Sequence, residues 1–230
     1  MGDILVVDLD GTLLRSDMLY ESFWSAAGRD WRSPVRSALA LAQGKAALKR
    51  YLAGAARIDV TTLPYDPEVI AYIERWRAEG GKTALVTASD QAIADAIGAH
   101  LGIFDDIHGS DGTENLKGQR KAAFLIKRYG ERAYSYMGDS TADVAVWAHA
   151  KRAITVNADA ALRNAAESAA EETEHLATHS PTARSYLKAL RPHQWMKNIL
   201  VFLPMLTSHV LEGTTFVMSL LAFISFSLVA

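Results

Sequence analysis

The hydrophobic and polar positions of this chain form short apolar runs separated by longer helical patterns. Four apolar runs have the length and composition of buried strands, at residues 4–8, 83–87, 133–137 and 153–156. Between them, apolar positions recur at helical spacing over residues 66–79, 90–101, 119–129 and 141–150. Strands that alternate with helices of this length predict an α/β fold, in which helices cover both faces of a parallel sheet.

One interval breaks this alternation. Between Leu13 and about Thr62 the chain has no strand-like run, only helix-prone sequence at residues 18–27, 33–42 and 45–55. Because this insertion follows the first strand directly, we expect it to lie over the carboxyl end of that strand, where open α/β sheets bind ligands. The pattern therefore predicts a helical cap over about residues 14–64.

The amino-acid composition excludes several classes of function. The chain has 230 residues, with 24 Lys and Arg against 26 Asp and Glu, so its formal charge of −2 gives no overall attraction to nucleic acid. The absence of cysteine excludes disulfides, zinc–thiolate sites and cysteine nucleophiles. No basic region precedes the first apolar run, so no signal peptide is expected and the main domain is predicted to stay in the cytosol.

The strongest chemical signal is a pair of acids at the end of the first predicted strand. Asp8 and Asp10 stand two residues apart, and side chains at this spacing point to the same side of a strand. Gly11 allows a sharp turn after them, and Thr12 can cap the following segment. Carboxylates this close repel each other, so the pair predicts a cation, a shared proton or a hydrogen-bond network that offsets the repulsion. An ordinary polar turn is the alternative.

Complementary groups follow the other predicted strands. The second strand ends in Thr87 and Ala88 before a helix start, Lys117 precedes the next helix, and the third strand ends in Asp139 and Asp143. Hydroxyls, lysines and the N–H groups of helix starts bind anionic oxygens, whereas clustered carboxylates favour Mg²⁺ over zinc. Together at one edge of a sheet, these groups predict phosphoryl transfer, in which an aspartate attacks phosphorus and Mg²⁺ neutralises charge.

The chain resembles the haloacid dehalogenase superfamily, whose four motifs match, in order, residues 8–12, Thr87, Lys117 and residues 138–143. The resemblance covers about residues 3–158. It implies that Asp8 is the nucleophile and that Asp10 is the general acid/base, which favours a phosphatase or phosphotransferase over the ATPase branch. It also implies bound Mg²⁺, with the following ligands: Asp8, the backbone carbonyl of Asp10, Asp139 and, through water, Asp143.

The same resemblance assigns phosphate binding to Gly11, Thr87, Ala88 and Lys117. Lys121 is the alternative for the lysine role, but Lys117 is preferred because Lys117-Gly118 matches the phosphoserine-phosphatase-like pattern better. The helical insertion similarly resembles the C1 cap of that branch, whose residues choose the substrate.

The C-terminal segment has a different character. Arg184, Lys188 and Arg191 form a basic stripe at helical spacing, which is typical of an amphipathic helix on an anionic membrane surface. Apolar stretches follow at residues 199–206 and 216–230. Residues 191–198 resemble the entry segment of UbiA-type polyprenyl prenyltransferases and phosphoribosyltransferases, whose metal-binding motifs would come after residue 230. A buried C-terminal helix of the soluble domain is the alternative.

These patterns predict two parts, residues 1–178 as a hydrolase domain and residues 179–230 as a linker, an interfacial helix and the start of a membrane domain with a transmembrane helix. The basic stripe predicts that the catalytic domain lies at the cytoplasmic face of the cell membrane. The expected activity is Mg²⁺-dependent hydrolysis of a phosphorylated small molecule or lipid-linked substrate, in a lipid- or sugar-phosphate pathway. The alternatives are an N-terminal module of a membrane transferase and an inactive scaffold, although a scaffold needs none of these acids.

Overall fold

The computed structural model describes residues 3–110, 116–178, 196–204 and 213–229. The chain divides into two compact units, residues 1–178 and 179–230. The first unit contains the sheet and the predicted site, and the second contains the apolar C-terminal segment.

The first unit is built on a six-stranded sheet in which every pairing is parallel, as the α/β pattern predicts. The strand order is β3-β2-β1-β4-β5-β6. The strands are β1 (Ile4–Val7), β2 (Lys82–Asp90), β3 (Asp106–Ser110), β4 (Tyr134–Gly138), β5 (Arg152–Val156) and β6 (Glu172–Leu176). The sheet therefore changes winding direction at β1, which is where doubly wound folds place their ligands.

Both edge strands lie outside the sequence prediction. Neither β3 nor β6 contains a continuous apolar run, because an edge strand has less of its surface covered than a central one. Glu172 begins β6 and pairs with Arg152, so residues 172–176 form an edge strand that no apolar run indicates.

The helices of the first unit lie between these strands. They are α1 (Met18–Arg29), α2 (Ser33–Ala42), α3 (Lys45–Ala55), α4 (Pro67–Ala78), α5 (Gln91–Leu101), α6 (Gln119–Tyr129), α7 (Val144–Trp147) and α8 (Ala160–Ala169), with 3-10 turns at Val60–Thr62 and Thr141–Asp143. The helix predicted over residues 141–150 is therefore a 3-10 turn followed by the short α7.

Two apolar cores lie on opposite faces of the sheet. Leu5 and Val7 of β1 belong to the core formed with α4 and α5, and Val6 belongs to the core formed with α6, α7 and α8. This alternation follows from the two-residue period of a strand, and it buries β1 on both faces. The end of β1 is consequently held in a fixed position.

The insertion between β1 and β2 contains α1, α2 and α3 and, among the described residues, no strand. Its two ends meet, because Leu14 forms an antiparallel bridge with Tyr65. The Arg15 guanidinium pairs with the Asp66 carboxylate at 2.9 Å beside this bridge. The two chain segments that enter and leave the insertion are therefore adjacent and form a neck, and Met18 and Leu63 of the insertion also pack in the core beside the sheet.

The second unit contains a 3-10 turn at Met196–Phe202 and a 17-residue helix, α9 (Gly213–Val229). The Phe202 ring lies 6.2 Å from that of Phe216 and 5.7 Å from that of Phe223. In the described part of the chain, no helix has both the length and the apolar character needed to cross a membrane, so the predicted transmembrane helix is not found. The predicted basic interfacial helix around residues 184–191 lies outside the described residues.

Candidate active site

Asp8 follows β1 directly at the centre of the sheet. Its backbone N–H donates to the carbonyl of Met137 in β4 at 3.0 Å, which fixes the residue between two neighbouring strand ends. Its Oδ1 accepts a hydrogen bond from Lys121 Nζ at 2.8 Å. Burial raises the pKa of Asp8 to about 6, although the Lys121 ammonium opposes this rise.

Asp10 is held by two donors from different elements. The backbone N–H of Met18, at the start of α1, donates to Asp10 Oδ1 at 2.8 Å, and the Ser89 hydroxyl donates to Oδ2 at 3.2 Å. Burial nevertheless raises the pKa of Asp10, which makes its protonated form more accessible than for a solvated aspartate. A carboxyl group fixed in this way is suited to proton transfer.

Asp8, Asp139 and Asp143 form an acidic cluster, in which each residue offers a carboxylate oxygen within 4.8 Å of the others. Burial first, and then the charges of Asp8 and Asp143, raise the pKa of Asp139 to about 7. The Thr12 hydroxyl donates to Asp139 Oδ1 at 3.3 Å. The cluster thus concentrates negative charge at the carboxyl edge of β1 and β4.

Gly11 brings the backbone close to this cluster. It has a φ of +72°, and a Cβ added here would stand 2.1 Å from Asp139 Oδ2. Any side chain at this position would therefore displace the carboxylate, so the turn predicted at Gly11 also determines where Asp139 lies.

The Asp143 carboxylate is oriented by protein donors on both oxygens. The Ser140 N–H and hydroxyl donate to Oδ2 at 3.0 and 2.8 Å, and the Tyr136 hydroxyl donates to Oδ1 at 2.8 Å. Tyr136 is fully buried and also accepts a hydrogen bond from Lys121 Nζ at 2.9 Å. The sequence did not identify Tyr136, because a tyrosine in a buried strand usually reports packing alone.

The lysine that contacts Asp8 is Lys121, whereas the sequence analysis preferred Lys117. Lys121 lies in the first turn of α6, and its side chain is only 4% exposed. Lys117 precedes α6 and is exposed. Because α6 begins after Gly118, a residue inside its first turn can point toward β1 and β4, whereas one in the preceding loop faces solvent. Lys121 was the alternative that the sequence left open.

The predicted phosphate-binding residues of β2 lie beside the end of β1. Leu85 pairs with Val7, so Thr87 is two residues beyond the last paired position of β1. Thr87 is fully buried, and its hydroxyl oxygen accepts a hydrogen bond from the Ser89 N–H at 3.0 Å. The Ala88 carbonyl accepts one from the Ser110 hydroxyl at 3.0 Å. The structure therefore brings Thr87 and Ala88 to the same edge as Asp8.

The donor set of the acidic cluster fits Mg²⁺. All three acids present oxygen, and the burial and then the repulsion between acids that raise the pKa of Asp8 and Asp139 would both be offset by a divalent cation. Asp8 and Asp139 would hold the ion. Asp143 already accepts hydrogen bonds on both oxygens, so it suits a supporting position behind them.

These raised pKa values lead to a pH-dependent effect of Mg²⁺ on stability. The folded-state pKa values of about 6 and about 7 lie above the ordinary aspartate value of 3.8, so the contribution of Asp8 and Asp139 to stability is complete below about pH 4 and is lost as the pH rises through 7. We expect saturating Mg²⁺ to raise the melting temperature by about 5 °C or more at pH 8, and by clearly less at pH 5.

Differential scanning fluorimetry with Mg²⁺ or with a chelator measures this effect. The variant Asp139→Asn, which removes one charge from the cluster at nearly constant shape, should lose most of the Mg²⁺-induced shift. An equal shift at both pH values would show that these carboxylates do not bind the ion.

A parallel sheet with acids gathered at its winding switch point defines a doubly wound α/β protein whose site uses carboxylates. The sequence profile of the haloacid dehalogenase-like hydrolases matches residues 5–147, which include most of β1, the insertion and the acidic cluster. The chain therefore belongs to the haloacid dehalogenase-like hydrolase family.

Similar proteins extend this result. An uncharacterized protein of Sinorhizobium fredii, y4nM, is 37% identical over 209 residues, which is 90% of this chain and 40% of that protein. The chain thus spans less than half of this curated relative. A Bordetella pertussis protein of unknown function has a similar structure, with a TM-score of 0.59 and 17% identity over 76% of this chain and 99% of that one. A probable phosphoserine phosphatase of Vibrio cholerae matches with a TM-score of 0.56 and 17% identity over 75% and 60%.

Proposed function

We propose that residues 1–178 form a Mg²⁺-dependent phosphomonoester hydrolase that acts through a phosphorylated Asp8. The observation that carries this proposal is the Asp8 carboxylate, which contacts a buried lysine and lies within an acidic cluster that fits a divalent cation. Family membership and the structural similarity to a probable phosphoserine phosphatase support the same class of reaction.

The proposed reaction has two steps, the transfer of the phosphoryl group to Asp8 and its hydrolysis. In the first, Asp8 attacks phosphorus, the bond from phosphorus to the ester oxygen breaks, and protonated Asp10 donates its proton to the leaving alcohol. In the second, Asp10 takes a proton from water, which attacks phosphorus and releases phosphate from Asp8. Asp10 thus returns to its protonated form at the end of each cycle.

The surrounding groups bind the phosphate and balance its charge. Bound Mg²⁺ supplies electrostatic stabilisation of the phosphoryl oxygens. The Lys121 ammonium is held by Asp8 and Tyr136, so it requires little reorganisation when charge develops. Thr87 and the backbone at Gly11 and Ala88 would face the remaining oxygens.

The substrate class is a finer proposal. The resemblance of residues 191–198 to a polyprenyl transferase entry segment favours a phosphorylated sugar or a lipid-linked phosphosugar, handled at the cytoplasmic face of a membrane. The same resemblance supports a second candidate, in which this chain is the N-terminal module of a membrane transferase. Sequencing the complete gene tests the second candidate, because a stop codon directly after Ala230 would exclude it.

Release of inorganic phosphate from a panel of phosphomonoesters tests the proposed activity. The panel should include serine phosphate, sugar phosphates, polyprenyl-linked phosphosugars and an aryl phosphate, each with Mg²⁺ and with a chelator. Turnover that needs Mg²⁺ supports the proposal. Absence of turnover across the panel, in protein whose Mg²⁺-induced thermal shift is intact, would contradict it.

A matched pair of lysine substitutions tests the role of Lys121. Lys121→Met keeps the length of the side chain but removes the cation beside Asp8, so we expect the rate of phosphate release to fall by about a hundredfold. Lys117→Met makes the same chemical change at an exposed position and should leave the rate within about twofold of wild type. Steady-state kinetics on the best substrate measures both. A larger loss for Lys117→Met would restore the original preference for Lys117.

A further inference from the structure

The second helix of the insertion has its polar and apolar sides reversed relative to a solvated helix. The side of α2 that faces the protein contains Ser33 and Ser37, which are 2% and 3% exposed. Ser37 Oγ is buried without a hydrogen-bond partner. A helix that lies on the protein surface normally directs its apolar residues toward the core and its polar residues toward solvent. The apolar residues of α2 therefore lie mainly on its solvent-exposed side.

The outer side of α2 is apolar over its whole length. Val35 is 61% exposed and Leu39 is 62% exposed, and they lie one turn apart. Trp31, one turn before Val35, is 78% exposed. We call this surface the outer α2 face, and it comprises Trp31, Pro34, Val35, Ala38, Leu39, Leu41 and Ala42. Large exposed residues that are contiguous in this way indicate a contact with something apolar.

The charge around the outer α2 face is mainly positive, although Asp30 at its edge pairs with Arg36 at 3.1 Å. Residues 31–58 contain six cationic residues and no Asp or Glu, although the whole chain has a net charge of −2; the six are Arg32, Arg36, Lys45, Lys49, Arg50 and Arg57. Arg32, Arg50 and Arg57 are exposed. The Arg32 guanidinium lies 5.4 Å above the centre of the Trp31 ring, so a cation and an exposed aromatic ring stand together at one end of the face. Its surroundings therefore attract anions.

We propose that the outer α2 face docks on an anionic lipid membrane. Apolar side chains flanked by Arg and Lys, with tryptophan at the margin, match the boundary between acyl chains and anionic headgroups. A second copy of this chain fits less well, since a symmetric contact would bring the same cations together. Nucleic acid fits less well because Trp31 is the one aromatic ring among the residues of this face, and its aliphatic side chains offer no stacking surface to bases.

This inference differs from the prediction for the C-terminal segment. That prediction placed membrane contact in residues 179–230, whereas the outer α2 face belongs to the insertion between β1 and β2. Membrane contact by this face would bring the insertion to the lipid surface. It does not depend on the proposed hydrolase activity.

A single fluorescent label tests the proposal, because the chain contains no cysteine and any introduced one is unique. Ala38→Cys places an environment-sensitive nitrobenzoxadiazole label within the outer α2 face, and Ser168→Cys places it on the exposed side of α8 as the matched control. The full chain is mixed with vesicles of phosphatidylcholine alone or with phosphatidylglycerol. We expect a blue shift and a severalfold rise in emission at residue 38 with phosphatidylglycerol, and little change at residue 168.

A second pair of variants tests the affinity. Val35→Glu combined with Leu39→Glu should weaken vesicle binding by about tenfold or more, because it adds charge to the contact and removes apolar area. Ala161→Glu combined with Ser168→Glu adds the same charge at exposed positions of α8 and should weaken binding far less. Cosedimentation with vesicles measures both.

Three outcomes would overturn the proposal. Vesicle binding without a signal at residue 38 would assign the contact to another part of the chain. A signal at residue 38 that depends on protein concentration and needs no vesicles would indicate a second copy. Equal loss of binding in both double variants would indicate that net charge alone decides binding.

Discussion

Asp8→Asn is expected to lower the rate of phosphate release by about four orders of magnitude or more, because an amide cannot form the acyl phosphate. Asparagine has nearly the same shape, so the backbone contact to Met137 should persist. The variant also relieves the repulsion with Asp139 and Asp143, which removes part of the reason for the raised pKa of Asp139. The variant also removes the anionic partner of the buried Lys121, which opposes this gain, so we expect a folded protein whose stability without Mg²⁺ is similar to that of wild type.

Steady-state phosphate release and acid-quenched labelling with a ³²P-phosphate ester measure this effect. Wild type should carry label during turnover, and Asp8→Asn should carry none. The Asp3→Asn variant changes an exposed acid at the start of β1 and should keep full activity. Labelled protein in the Asp8→Asn variant would move the nucleophile to another residue.

Asp10→Asn is expected to lower the turnover rate by about 10²- to 10⁴-fold, the usual contribution of a positioned general acid/base. The amide oxygen can still accept the Met18 N–H, so the start of α1 should remain in place. What the variant loses is the ability to exchange a proton with the leaving alcohol and with water. The loss should therefore appear mainly in kcat, with a smaller change in KM.

The leaving group separates the two proton transfers. An aryl ester leaves without protonation, so its first step should be spared in Asp10→Asn, whereas water attack on phosphorylated Asp8 remains slow. We expect acid-stable label on the protein to rise with the aryl ester and to stay low with an alkyl ester. Equal behaviour with both esters would exclude Asp10 as the proton donor. Asp17→Asn, at the exposed N-cap of α1, is the control for disturbance of that helix.

The central part of the fold could be predicted because its residues are buried on both sides. Strands β1, β2, β4 and β5 appear as apolar runs, since a strand covered on two faces can contain little else. Strand β6 has the sequence Glu-Thr-Glu-His-Leu, and its identity depends on pairing with β5, which is a tertiary contact. No local pattern in that segment distinguishes it from a solvated linker.

In the candidate site, too, some residues could be predicted from the sequence and others could not. Asp8, Asp10 and Asp139 follow predicted strands directly, so chain direction alone brings them to one edge. The choice between Lys117 and Lys121 depends on where α6 begins, and element boundaries are the least certain feature of a sequence pattern. The role of Tyr136 can be recognised only in the structure, because it depends on the hydrogen bonds between the Tyr136 hydroxyl and the side chains of Lys121 and Asp143.

The neck at Leu14 and Tyr65 has a mechanical consequence. Three helices of the insertion connect to the sheet through two chain segments that are already paired to each other and clamped by Arg15 and Asp66. A change in the backbone torsions of those segments would therefore displace all three helices relative to Asp8, whereas the strand pairings of the sheet would stay as they are. The contacts that resist such a displacement include the packing of Met18 and Leu63 in the core and the hydrogen bond from Met18 to Asp10.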